Sequence, residues 1–79
     1  MDKEELALIL EEEFNSSIIA DNIIVLLEEG EFSIDDLRES VAGEDEEVIE
    51  AILEYLEEEG FVSVIDEDNL VCRSEVEIF

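Results

Sequence analysis

The chain has 79 residues, of which 27 are acidic and 3 basic, giving a formal charge of −24 at pH 7. That length holds one small domain, and that charge argues against binding nucleic acid, which runs on Lys and Arg neutralising phosphates. One cysteine, no histidine and no run of about 18 apolar residues leave no internal disulfide, no imidazole base and no expected transmembrane helix.

A charge so high suggests disorder, but 47% of the residues are apolar and they recur at structured spacings, so a folded chain is expected. Met1-Asp-Lys-Glu-Glu5 lacks the basic opening of a secretory signal, and an acidic surface is repelled by anionic lipid heads. A small, complete cytoplasmic protein without membrane contact is the expectation. Leu6, Ile9, Leu10 and Phe14 mark one face of a first helix over about residues 3–13. Asn15, Ser16 and Ser17 interrupt it and offer N-caps. A second helix over about 18–29 holds Ile18, Ile19, Ile23, Ile24, Val25, Leu26 and Leu27; apolar nearly all round, it should be buried on most sides. Gly30 ends it. Ser33-Ile-Asp-Asp36 has the form of a capping box and predicts a short helix over 34–41. Asp45 then caps a fourth helix with Val48, Ile49, Ile52, Leu53 and Leu56 inward, and Gly60 stops it. Phe61–Ile65 and Leu70–Arg73 are β-branched runs around Asp66-Glu-Asp-Asn69, which reads as a hairpin loop. Val76, Ile78 and Phe79 either add a short strand or pack the tail.

This order, mainly α with a small β-hairpin, resembles the winged helix-turn-helix superfamily over residues 16–73. The carriers are Leu26-Leu27-Glu-Glu-Gly30, then Phe32-Ser-Ile-Asp-Asp-Leu37, then Val48 through Leu56-Glu-Glu-Glu-Gly60-Phe61-Val62 and the hairpin. Residues 1–14 form an extra N-terminal helix and 74–79 a tail on what is expected to be a single winged-helix-like domain over 1–79. The resemblance implies a helix that many relatives press into DNA, although such domains also serve as protein-contact modules. Here that helix is acidic: Glu44 to Glu59 holds nine carboxylates and no base, and the wing tip is Asp66-Glu67-Asp68. Nucleic acid is therefore not the expected ligand.

Those nine carboxylates lie along about 24 Å of helix, roughly one per 2.7 Å, against about one per 1.7 Å of axis in duplex DNA. Glu50, Glu54, Glu57 and Glu58 step along one ridge opposite the Ile52/Leu56 stripe. Glu57, Glu58 and Glu59 oppose the helix macrodipole, where a sequence optimised for stability would place Lys. The expected function is imitation of DNA or RNA toward a basic nucleic-acid-binding protein. The expected contacts are Glu46, Glu47, Glu50, Glu54, Glu57 and Glu58, with Asp66, Glu67 and Asp68 as a second edge. In size and charge, though in no motif, the chain is similar to the acidic inhibitors that phages deploy against restriction or CRISPR defences. The alternative is a winged-helix protein-interaction module of a transcription or replication assembly, acidic for solubility or salt adaptation. A bias of 20 Glu to 7 Asp and ten Ile speaks against a halophilic origin.

Other chemistry finds little support. Asp66, Asp68 and Glu77 match the first, third and twelfth positions of a calcium loop, but Leu70 and Val71 stand where it needs an oxygen ligand and a Gly, so no metal or other cofactor is expected. Without His, Cys72 has no partner to activate it, and an enzyme is not expected. The apolar surplus of the second helix would be hidden by neighbours within the monomer or by a homodimer, with the first helix as the candidate dimer or partner element. Crowded carboxylates should also raise one another's pKa, so that mild acidification relieves repulsion. Self-repulsion predicts that the melting temperature rises between about 0.05 and about 0.5 M salt, as the screening length falls below typical charge spacings; a flat profile by circular dichroism would show that repulsion is not what limits stability.

Overall fold

Asn15 and Ser16 cut the first apolar stretch into two helices. In the computed structural model, which describes residues 1–79, α1 (Lys3–Phe14) begins at Asp2, whose carboxylate accepts the Glu4 N–H at 2.9 Å. It ends at Asn15 in the left-handed region, φ 52°, a conformation Asn tolerates better than most residues. The Ser16 hydroxyl accepts the Ile19 N–H at 3.2 Å and opens α2 (Ser17–Glu29). Strand β1 (Glu31–Ser33) follows. The capping box forms as expected: Ser33 Oγ accepts the Asp36 N–H at 3.2 Å, while Asp36 Oδ2 accepts the Ser33 N–H at 2.9 Å. It starts α3 (Ile34–Ser40).

The fourth helix, α4 (Glu46–Glu58), has Asp45 at its N-cap, but the Asp45 side chain makes no capping bond. Its carbonyl instead accepts the N–H groups of Val48 and Ile49. At the other end Phe61 N–H reaches Leu56 O at 2.9 Å and Gly60 N–H reaches Glu57 O at 3.1 Å. This pair is the Schellman closure, and it needs the left-handed Gly60, φ 76°. Phe61 turns back against Tyr55 with ring centroids 6.3 Å apart, and the chain enters β2 (Val62–Asp66) and β3 (Val71–Ser74).

The sheet is antiparallel in the order β1-β3-β2, so the last strand lies in the middle. Cys72 pairs with Phe32 on one side and Val64 on the other, and a bulge follows Val64. The hairpin falls within a residue of its expected bounds, but the third strand was not anticipated. The molecule is thus an α-rich domain with a small three-stranded sheet.

Seventeen residues are buried, all apolar, with no polar or charged side chain among them. The first helix joins the core through its apolar stripe: Leu6 and Leu10 are fully buried, Phe14 meets the edge of Tyr55 at 5.3 Å, and α1 packs on α2. One expectation needs correction: α2 is not buried on most sides. Ile19, Ala20, Ile23, Ile24, Leu26 and Leu27 face inward, but Ile18 and Val25 remain 73% and 54% exposed. The tail adds no strand. Val76 and Ile78 pack against the core, and Phe79 exchanges hydrogen bonds with Met1 and Lys3.

Gly60→Ala should destabilise the fold by about 1–2 kcal/mol, the cost of holding an L-residue in the left-handed region. A Cβ there would meet nothing within 4 Å, so strain is the whole effect. Urea denaturation should report a lower midpoint with an unchanged slope.

Candidate functional site

Burying Ile49, Ile52, Leu53 and Leu56 fixes which way α4 faces. The same rotation presents Glu47, Glu50, Glu54, Glu57 and Glu58 to solvent, and all five are exposed. None of them lies within ion-pair distance of a base, since the four ion pairs of the protein are Lys3–Glu28, Arg38–Asp35, Arg38–Glu46 and Arg73–Glu75. The ridge expected from the sequence is present as a row of uncompensated carboxylates on one rigid element.

Glu46 stands apart from that row. Both of its oxygens accept from Arg38 Nε at 3.2 Å, and Oε1 also accepts from Nη2 at 2.6 Å. Arg38 Nη1 donates to Asp35 at 2.8 Å. The hydrogen bonds from Arg38 hold the Glu46 carboxyl below its ordinary pKa, and Glu46, followed by Asp35, pushes the guanidinium above its own. One base therefore ties the start of α4 to α3. Arg38 was missed as a positioning residue because its partner lies eight residues away across a turn; the only hint was that bases are so few.

Asp66 is likewise occupied within the chain. Its Oδ2 accepts the Asn69 side-chain amide at 2.9 Å, and its Oδ1 accepts the N–H groups of Asp68 and Asn69 at 3.1 and 3.4 Å. These bonds, led by the Asn69 side chain, lower the Asp66 pKa. Asp66 thus organises the loop, and the outward charges at the wing tip are Glu67 and Asp68, both exposed. Leu70 closes the loop at φ 50°, and its carbonyl accepts the Ile34 N–H at 3.1 Å, which fastens the wing to the start of α3. At the sheet edge, Glu75 accepts from the Ser63 hydroxyl at 2.7 Å and from Arg73 at 3.3 Å, and in that order they lower its pKa.

The carboxyls that move clearly from their ordinary values therefore move down, not up. At these three sites hydrogen bonds, joined by an ion pair to Arg38 at Glu46 and to Arg73 at Glu75, outweigh the desolvation that would raise the carboxyls. Cys72, buried at the centre of the sheet, moves up through burial and then the charge of Glu57, opposite to what a nucleophilic thiol needs. The largest surface depression, about 390 Å³, is lined by Glu29, Gly30, Glu31, Arg73 and Ser74 with no apolar side chain, unlike the mostly apolar clefts that take small molecules. No helix is long and apolar enough to cross a membrane. Compared with known family models, curated proteins and solved structures, the chain matches none of them.

Each lowered carboxyl contributes stability above its unfolded pKa, about 4, and that contribution is lost as the pH falls through the folded value. Thermal melts in high salt, where general repulsion is screened, should show stability falling from about pH 4 toward about pH 2. Asp66→Asn keeps an acceptor oxygen and cannot titrate, so its melting temperature should fall less over that range than that of the unaltered chain.

Proposed function

We propose that the protein is a winged-helix-type nucleic-acid mimic that occupies the basic groove of a DNA- or RNA-binding protein. The observation that carries this reading is the α4 ridge. Glu47, Glu50, Glu54, Glu57 and Glu58 are exposed, fixed by the buried stripe behind them, and without a cationic partner in the chain. Carboxylates carried on a preformed helix present charge without the cost of ordering the backbone on binding, leaving only side-chain freedom to be lost. Opposite potentials would steer association and make it salt-dependent. Glu67 and Asp68 add a second edge on the wing, whose first strand packs against α4. The element order α2-β1-α3-α4-β2-β3 supports the winged-helix comparison, with α4 where a DNA reader carries its bases. A defence or nucleic-acid enzyme of a host cell, met in the cytoplasm, is the partner class this mimicry suits. No catalytic role accompanies it.

Immobilised protein incubated with a cell lysate should retain basic proteins that are released by a salt step and by added duplex DNA. The triple variant Glu50→Lys/Glu54→Lys/Glu57→Lys should fold, because all three side chains are exposed, and should lose that retention by about tenfold or more, since each attraction becomes repulsion. Glu4→Lys/Glu5→Lys/Glu11→Lys changes net charge equally on α1 and should retain binding. Equal losses in both variants would reduce the effect to bulk charge, and no loss in either would favour a protein-contact module with a solvated acidic face.

A further inference from the structure

Glu is the commonest residue at the exposed helix positions of this chain: Glu4, Glu5, Glu11, Glu12 and Glu13 on α1, and the ridge on α4. The outward face of α2 breaks that habit. Ile18 and Val25 lie two turns apart, about 10.5 Å along the axis, at 73% and 54% exposure, with Asp21 between them and Glu28 beyond on the same face. β-branched residues lower helix propensity, and here they gain only partial burial in return. Neighbouring α1 exposes Leu8 at 63% as well. Around the apolar pair the charge is acidic: Asp21 and Glu29 have no cation, and Glu28 has only the exposed Lys3 at 3.3 Å.

We propose that this face of α2, Ile18-Asp21-Val25-Glu28, docks a basic amphipathic helix of a partner protein. Charge complementarity selects that occupant. A second copy would bring another −24 charges and the same acidic rim, and an anionic membrane is repelled for the same reason. A helix with apolar residues on one stripe and Lys or Arg beside them covers Ile18 and Val25 and neutralises Asp21, Glu28 and Glu29 together. The site is separate from the acidic ridge. α2 packs on α1, α3, β1 and β3, whereas α4 packs on α3 and β2, so the proposal stands independently of mimicry.

The test uses the full chain, ¹⁵N-labelled, and two synthetic helical peptides of about 18 residues, five turns. One carries a Leu stripe flanked by Lys; the other has the same Lys residues with Ser in place of Leu. The Leu peptide should shift the amides of α2 and keep binding at about 0.5 M salt, where the Ser peptide is lost. Ile18→Glu/Val25→Glu should weaken the Leu peptide about tenfold or more, even though it makes the protein more acidic; a purely electrostatic contact would strengthen instead. If that variant fails to fold, Ile18→Ala/Val25→Ala, built from the best helix former, should weaken binding in the same direction. Equal binding of both peptides, shifts centred on α4, or unchanged affinity in the variants would overturn the proposal. So would self-association of the free protein in sedimentation that the Glu variant abolishes, because the face would then belong to a second copy.

Discussion

Everything in this fold depends on an apolar core strong enough to hold together a surface that repels itself. Seventeen buried side chains contain no polar atom that must be matched inside, so burial acts without the desolvation cost that an interior charge would impose. All the carboxylates are left outside. That separation orients α4 most strictly, because turning it would exchange an Ile or Leu for a Glu at the core. The acidic ridge of α4 is thus a by-product of the strongest force in the molecule, and it is rigid for the same reason.

With so few bases, each has a structural effect out of proportion to its number. Arg38 joins α3 to α4 through Asp35 and Glu46, Lys3 reaches from α1 to Glu28 of α2, and Arg73 holds Glu75 beside the sheet. Exposed pairs of this kind contribute little each. Their value here is geometric: each sits between elements or at a strand end. By joining α3 to the first turn of α4, Arg38 steadies the frame from which the free carboxylates project.

The elements legible in the sequence were those whose signals are local. Ser33 and Asp36 announce the capping box within four residues, and Gly60 announces the end of α4 because the turn needs a left-handed residue. The hairpin followed from two β-branched runs and a polar loop. Strand β1 was not legible: Glu31–Ser33 is too short to carry an alternation, and its partner β3 lies some forty residues on. Apolar content likewise could not tell which face of α2 would be covered, since Ile18 and Ile19 are equal in sequence and opposite in burial. At the candidate site, the exposed row from Glu47 to Glu58 followed from helical spacing alone. The use of Glu46 and Asp66 within the chain did not, because those contacts depend on where Arg38 and Asn69 come to lie.

The position of β3 bears on how the chain reaches its fold. Helices α1 and α2 are neighbours in sequence and can meet early, within a short loop closure. Neither β1 nor β2 has a sheet partner until β3 arrives, because the last strand in sequence is the middle strand in space. Pairing Glu31 with Arg73 closes a loop that contains α3, α4 and the whole wing. Contacts so distant in sequence are those that slow folding. Completion of the sheet is therefore the natural late step, and until it happens Phe32, Val64 and Cys72, which meet across β3, lack the neighbours that bury them.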